Sequence, residues 1–249
     1  MKFRFTALGL LSGLLLLLCF SFVLLKPTHK VAASVGGQIT GTVKLDGVAP
    51  KAKVIDMSKE PSCAQIHASK PATTEGVVVG SGGGLGNVVL YLSEGYSGNE
   101  PAPSQPATLE QKGCLYLPHV VALNVGQKLV ITNSDQTSHN IHPMPKPGGG
   151  NPEWNKSQLS GSGPIEVTYN GEEIAMPVKC NVHPWMHAFI AVVKGPHAVT
   201  DDAGSFKLDN VPPGTYTLTA WQETYGVQTS KVTVAPGKPA TVDFTFKAK

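Results

Sequence analysis

The chain consists of short stretches in which apolar and polar residues alternate, separated by Gly and Pro residues. The stretch from Gln38 to Asp46 alternates in this way and stops at Asp46-Gly47, a turn dipeptide. Alternation with a period of two indicates a β-strand with one buried face. Gly and Pro number 27 and 20 among 249 residues, only 15% of the residues are charged, and long amphipathic helical stretches are missing. These features predict an all-β fold of short strands and many turns, in one large or two small domains.

One loop carries three metal-binding side chains within seven residues: Cys180, His183 and Met186. A thiolate and an imidazole suit copper, and Cys, two His and a long axial Met form the donor set of electron-transfer copper sites. His139 is the candidate for the second histidine, from a distant strand. Zinc also binds Cys and His but has no particular use for a thioether. We therefore expect one type 1 copper ion per chain, bound by His139, Cys180, His183 and Met186.

These residues resemble the cupredoxin family, in particular its amicyanin and plastocyanin-like branch. Members carry the first ligand in an N-x-D…H-N segment and the other three in a C-x-x-H-x-x-M loop, and residues 107–194 match both motifs in order and spacing. The resemblance implies a Greek-key β-sandwich that passes single electrons between redox proteins in transient contacts and turns over no substrate. It also implies that Asn140 directs a backbone amide toward the Cys180 sulfur and ties the two ligand loops together.

The neighbours of the expected ligands also have expected roles. His183, next to Pro184 and Trp185, should reach the surface in an apolar patch where a redox partner makes contact. Simple packing of the loop is the alternative role for Trp185. His142 and His187 are extra imidazoles, expected to be surface or supporting rings rather than ligands.

The last part of the chain resembles a second family, the carboxypeptidase regulatory-like (transthyretin-like) β-sandwiches. Residues 198–221 contain a G-x-F strand and a P-P-G-x-Y turn, and residues 241–246 form a final strand. The opening strands of that family resemble residues 39–43 and 87–92 of this chain. The resemblance implies a non-catalytic scaffold, and the sequence contains no zinc-protease motif and no candidate for a catalytic triad.

The two resemblances together predict how the chain is divided. Residues 36–100 and 196–249 would form the two parts of one regulatory-like sandwich, with the copper domain at 107–194 inserted between them. The alternative is two small independent domains that flank the copper domain. Neither part alone has enough strands to bury both faces of its sheets.

The N-terminus predicts export from the cytoplasm. Basic residues precede an apolar run from Ala7 to Leu25, which is expected to be helical. Residues 1–35 are therefore interpreted as a signal peptide or a membrane anchor. We expect a periplasmic or extracellular protein that is secreted or held at the membrane through residues 7–25.

The cysteine count fits an oxidising compartment. With Cys180 on the metal and Cys19 in the N-terminal run, Cys63 and Cys114 remain to form a disulfide. Two alternatives stay open, namely that both are free buried thiols, or that they bind a second metal with His67 and His119.

Other function classes are weighed against electron transfer. A net charge of +3 without a basic patch gives no reason to expect a nucleic-acid partner. Copper delivery would need an exposed site that exchanges its metal quickly. A surface-binding module with an accessory copper site would need an exposed aromatic row, for which Tyr216, Trp221 and Tyr225 are the only candidates. A catalytic copper centre would need an open coordination position.

Overall fold

Short strands make up almost all of the regular structure. The computed structural model describes Met1, residues 36–98 and residues 101–249. The strands of these residues are, in chain order, β1 (Gly37–Asp46), β2 (Val89–Glu94), β3 (Ala107–Gln111), β4 (Tyr116–Leu117), β5 (Val120–Asn124), β6 (Lys128–Asn133), β7 (His139–Pro143), β8 (Lys156–Gln158), β9 (Ile165–Thr168), β10 (Glu173–Lys179), β11 (His187–Val193), β12 (His197–Val199), β13 (Ser205–Val211), β14 (Gly214–Gln222), β15 (Gly226–Val234), β16 (Pro239–Thr241) and β17 (Phe244–Lys247). One helix, α1 (Pro61–Ile66), and a 3₁₀ turn at Ser81–Gly83 lie between β1 and β2. The predicted all-β fold is confirmed.

The first sandwich combines strands from before and after the predicted copper region. Strand β1 lies between β13 and β16 and also pairs with β17, in parallel with the last two and antiparallel to β13. The facing sheet has the order β12-β2-β14-β15. Alternate residues of β1 point into the core, where Ile39, Val43 and Leu45 are buried as the period of two predicts. β1 is therefore an interior strand of a sheet whose other members come more than 150 residues later in the sequence.

The second sandwich is built from residues between these two groups of strands. Its sheets have the orders β5-β11-β10-β7-β8 and β4-β3-β6-β9. Their inner faces bury one apolar core that includes Leu109, Ile131 and Ile190, and Cys180 and Met186 belong to the same cluster. The loop of the predicted copper site is thus continuous with a closely packed interior, which restricts how far its side chains can move.

The two sandwiches contact each other within one compact unit. A small apolar cluster joins the β2–β14 sheet to the β5–β11 sheet and contains Val89, Val120, Ala191 and Trp221. The Trp221 and Phe189 rings meet at a centroid distance of 5.2 Å with their planes 64° apart. Edge-to-face aromatic contacts of this kind add to the area that the cluster buries.

The segment between β1 and β2 contains α1. Cys63 of α1 forms the predicted disulfide with Cys114. His67 Nε2 donates a hydrogen bond to the Gly113 carbonyl over 2.7 Å, beside the bridge. The helix is thereby fastened to the second sandwich at two neighbouring points.

The N-terminal prediction falls outside the described residues. No helix within residues 36–98 and 101–249 is long and apolar enough to cross a membrane. The expected signal peptide or anchor at residues 1–35 stays a prediction.

Candidate metal centre

Three of the four predicted ligands converge at one end of the second sandwich. His139, Cys180 and His183 each place a donor atom within 4.8 Å of the other two. His139 Nδ1 lies 2.9 Å from His183 Nδ1, and Cys180 Sγ lies 3.7 Å from His183 Nδ1. All three side chains are at most 3% exposed. Two imidazole nitrogens and one sulfur therefore face a common point in a site shielded from water.

The strands position these side chains. His139 begins β7, and Cys180 follows the last residue of β10, which pairs with β7 at Lys179 and His142. The loop then closes on itself, because Cys180 N–H donates to the Met186 carbonyl and Met186 N–H donates to the His183 carbonyl. Met186 is fully buried in the same apolar cluster as Cys180. A seven-residue loop with two internal backbone hydrogen bonds holds its sulfur and imidazole groups in place.

Asn140 makes the contacts that the family resemblance implies. Its backbone N–H donates to Cys180 Sγ over 3.5 Å, and its Oδ1 accepts from Cys180 Sγ over 3.2 Å and from Asn181 N–H over 2.6 Å. Tyr116 Oη donates to the Asn140 carbonyl over 2.5 Å. Asn140 thus connects the two ligand segments and places an amide hydrogen on the sulfur.

Asp135 is a supporting residue that sequence reasoning did not single out. Its Oδ2 lies 2.8 Å from His139 Nε2 and accepts from Cys114 N–H over 2.8 Å, while its Oδ1 accepts from Gly113 N–H over 2.7 Å. Metal-binding histidines typically donate their second ring N–H to a carboxylate, which orients the ring and raises its basicity. The sequence did contain a signal for this role, because Asp135 is the Asp of the N-x-D…H-N motif and stands four residues before His139.

The electrostatics favour a thiolate at Cys180. Burial by itself raises the pKa of the thiol, but hydrogen bonds from His139 and from the backbone amides of Asn140, His183 and Val182 bring the pKa below its ordinary value. Burial also works to lower the pKa of His139, yet the contacts with Asp135 and Cys180 outweigh it and raise this pKa. The pKa of His183 is lowered, first by burial and then by the nearby His139. A metal ion that displaces the proton from the His139 ring would lie next to the Cys180 thiolate and the neutral His183 imidazole.

The expectation that His183 reaches the surface is wrong. His183 is only 1% exposed, and the segment around α1 covers its ring. Its Nε2 lies 3.9 Å from Cys63 Sγ and 4.0 Å from a carboxylate oxygen of Glu60. Trp185 packs against the same ring at a centroid distance of 5.2 Å, and its Nε1–H donates to the Cys114 carbonyl over 3.0 Å. We call Glu60, Cys63, Cys114 and Trp185 the cap.

The remaining candidates lie away from the three donor atoms. His142 contacts Glu153 at 2.7 Å and Asn181 at 3.3 Å, so it is held at the surface beside the loop. Pro184 is exposed, and His187 directs Nδ1 toward the Trp185 carbonyl. The alternative metal site at Cys63, His67, Cys114 and His119 is wrong, because the disulfide occupies both sulfurs and His119 pairs with Glu223.

The donor set fits a copper ion. Sulfur and imidazole together select copper, zinc or iron–sulfur chemistry, and Met186, fully buried in the same apolar cluster as Cys180, offers the thioether that favours copper. A thiolate with a lowered pKa and a histidine held by a carboxylate both suit a bound cation.

The family model of the carboxypeptidase regulatory-like domain matches residues 184–247. The match covers most of the predicted C-terminal part of that sandwich and also includes β11 of the second sandwich. No curated protein matches the chain.

Several solved structures resemble part of the chain. They include a copper-containing nitrite reductase from Thermus scotoductus SA-01 (19% identity, TM-score 0.32, 41% of this chain and 25% of that one). A purple cupredoxin from Nitrosopumilus maritimus has 21% identity and a TM-score of 0.29 over 34% of this chain and 98% of that one. The amicyanin of Paracoccus versutus has 16% identity and a TM-score of 0.32 over 41% of this chain and 96% of that one. The chain thus spans about a quarter of the nitrite reductase but nearly the whole of the two small proteins.

Proposed function

We propose that the chain is an extracytoplasmic type 1 copper protein that transfers single electrons between redox partners. The observation that carries the proposal is the convergence of His139 Nδ1, His183 Nδ1 and Cys180 Sγ at one buried point. Met186, buried in the same cluster, would be the axial ligand. Bound copper would supply the reversible exchange of one electron.

The protein's own contribution is a frame that is hydrogen-bonded on several sides. Three of the side chains come from one short closed loop, and His139 comes from the paired strand β7. Asp135 holds the His139 ring, and the Asn140 amide partly neutralises the charge of the sulfur. Hydrogen bonds to the sulfur and the axial thioether are the features that set the reduction potential of such a site.

The buried position of His183 changes how a partner would reach the site. A partner on this face would touch the cap, since Glu60 and Cys63 lie within 4.0 Å of His183 Nε2. Electrons would then enter through this layer rather than by direct contact with the ring. Cys63 is itself fully buried, whereas the Glu60 side chain is 38% exposed, so a partner on this face would meet Glu60.

The alternative functions receive less support from the geometry. Copper delivery would need an exposed ligand, whereas His139, Cys180 and His183 are all buried. A surface-binding module would need an exposed aromatic row, whereas Tyr216 and Trp221 are both buried. The Cys63–Cys114 disulfide supports the extracytoplasmic location, because such bonds persist in oxidising compartments.

We further propose that the second sandwich is a domain inserted into the first. Strands β1 and β2 precede it, β12 to β17 follow it, and both groups share the same two sheets. The strands of the second sandwich all lie between β2 and β12, and the segment between β1 and β2 also packs on it, through Met57 and Cys63. Insertions are tolerated where they replace a surface connection.

The test is spectroscopic. The copper-loaded protein should show intense thiolate-to-copper absorption and take up one copper at this site. Cys180→Ala should abolish that absorption, whereas Met186→Leu should keep it and move the reduction potential. His142→Ala is the matched control, because this imidazole is near the loop but bound to Glu153, and it should leave the absorption unchanged. Intense absorption that survives in Cys180→Ala would refute the proposal.

A further inference from the structure

A second group of metal-binding side chains lies apart from the donor atoms of the copper site. His119, His187 and Glu223 each place a potential ligand atom within 4.8 Å of the other two. His119 precedes β5, His187 begins β11, and Glu223 lies in the turn between β14 and β15. The cluster therefore joins the two sandwiches at a place where neither resemblance predicts a site.

The two histidines are held side by side by the backbone. Phe189 N–H donates to the His119 carbonyl over 2.9 Å, next to the parallel pairing of β11 with β5. The rings of His119 and His187 meet edge to face at a centroid distance of 5.2 Å. His119 is 4% exposed, and its ring also contacts Phe189.

The tautomer of His187 suits a metal ligand. Its Nδ1 lies 3.0 Å from the Trp185 carbonyl, which can only accept, so Nδ1 carries the hydrogen. In the neutral ring this leaves a lone pair on Nε2. A ring that donates one N–H to a backbone carbonyl and offers its other nitrogen is the usual arrangement of a metal-binding histidine.

Carboxylates complete the cluster. Glu223 Oε2 lies 2.7 Å from His119 Nε2, in a largely buried pair. Glu75 is close enough to interact electrostatically with His119, His187 and Glu223, and burial raises its pKa. Two carboxyl groups thus lie near two imidazoles, and burial of the Glu75 carboxyl disfavours its charged form unless a cation is close by.

The Glu75 segment is fixed beside Glu223 by its own contacts. The Gly76 carbonyl accepts from Gln222 Nε2 over 2.8 Å and from Thr224 Oγ1 over 3.2 Å. A Cβ atom at position 76 would lie 2.3 Å from Glu223 Oε1, so the backbone approaches the carboxylate more closely than another residue type would allow. These contacts hold the backbone next to Glu75 against the turn that carries Glu223.

We propose that His119, His187 and Glu223 form a second metal site, for a divalent cation of the Zn²⁺ class. Two imidazoles and a carboxylate without sulfur suit zinc and do not favour Cu(I). Bound metal would fasten the starts of β5 and β11 to the β14–β15 turn. The proposal is independent of copper at Cys180, because the two sites share no ligand.

The experiment measures zinc binding in a chain whose first site is disabled. Full-length Cys180→Ala is freed of metal with a chelator and titrated with Zn²⁺ by calorimetry, with Co²⁺ as a spectroscopic probe. We expect one Zn²⁺ per chain, and a Co²⁺ spectrum of nitrogen and oxygen ligands without a thiolate band. Adding His187→Ala or Glu223→Gln should weaken Zn²⁺ binding by at least about tenfold, since even supporting residues of metal sites contribute that much.

The controls separate a built site from surface binding. His187 is exposed and Glu223→Gln keeps the shape of the side chain, so both variants should fold, which circular dichroism checks. His142→Ala, which removes an imidazole outside the cluster, should leave Zn²⁺ binding unchanged. Equal affinity in all the variants, equal weakening by His142→Ala, or no zinc binding in Cys180→Ala would each overturn the proposal.

Discussion

Removal of the Cys63–Cys114 bridge should destabilise the protein strongly. The bridge closes a loop with a sequence separation of 51 residues. The chain-entropy relation assigns a bridge of that span about 4 kcal/mol of stability, because it restricts the unfolded chain. Both side chains are fully buried, so Cys63→Ala with Cys114→Ala removes the constraint without burying a new polar group.

Urea unfolding of the metal-free protein, followed by tryptophan fluorescence, measures the effect. With a slope of about 2–3 kcal/mol per M, the midpoint of the double variant should fall by roughly 1.3–2 M relative to wild type. Cys180→Ala is the matched control, because it removes a buried sulfur that closes no loop. A double variant that loses no more stability than this control would refute the assignment of the bridge as the main constraint on this segment.

The same double variant tests the cap. Cys63 lies 3.9 Å from His183 Nε2, and the bridge holds α1 over that ring. Without the bridge, His183 should react with diethyl pyrocarbonate, whereas the ring in wild type, at 1% exposure, should be protected. Equal protection in both proteins would mean that the remaining contacts of the segment hold the cap closed.

Three further predictions follow from the geometry. Asp135→Asn should weaken copper binding by about 10–100-fold, because the carboxylate no longer orients His139. Glu153→Gln is the control: it removes the carboxylate that contacts His142, which is not a ligand, and should leave copper binding unchanged. Competition with a chelator measures both affinities. In the metal-free protein, the ultraviolet absorbance of the Cys180 thiolate should titrate below the ordinary thiol pKa. Because the pKa of Cys180 is lower in the folded than in the unfolded protein, its thiolate contributes stability above the unfolded pKa, and this contribution is lost as the pH falls through the folded pKa. Urea midpoints measured across that pH range should therefore fall with pH, and a midpoint independent of pH there would contradict the prediction. A fragment of residues 196–249 should lack β-structure by circular dichroism, because β1 and β2 supply its central partners, and a folded fragment would contradict the insertion.

Much of the candidate site could be predicted from local sequence. Cys180, His183 and Met186 lie within one seven-residue loop, so their proximity can be predicted without knowing the rest of the fold. The Asn140 contacts, which join segments 40 residues apart, were expected only from the family resemblance. Alternation along β1 likewise predicted which of its side chains are buried, because strand periodicity is a local property.

The tertiary structure decided what depends on contacts between distant segments. His183 is buried because the disulfide fastens α1, more than 100 residues earlier, over it, and because Trp185 packs against its ring. The position of α1 is not encoded by the ligand loop. The His119–Glu223 pair joins residues that are 104 positions apart. The sequence by itself determined the all-β class, the ligand loop and the presence of two further cysteines that can form a disulfide. Long-range packing determined the access to His183 and the second cluster, because strand pairing and loop docking are set by the whole core rather than by neighbouring residues.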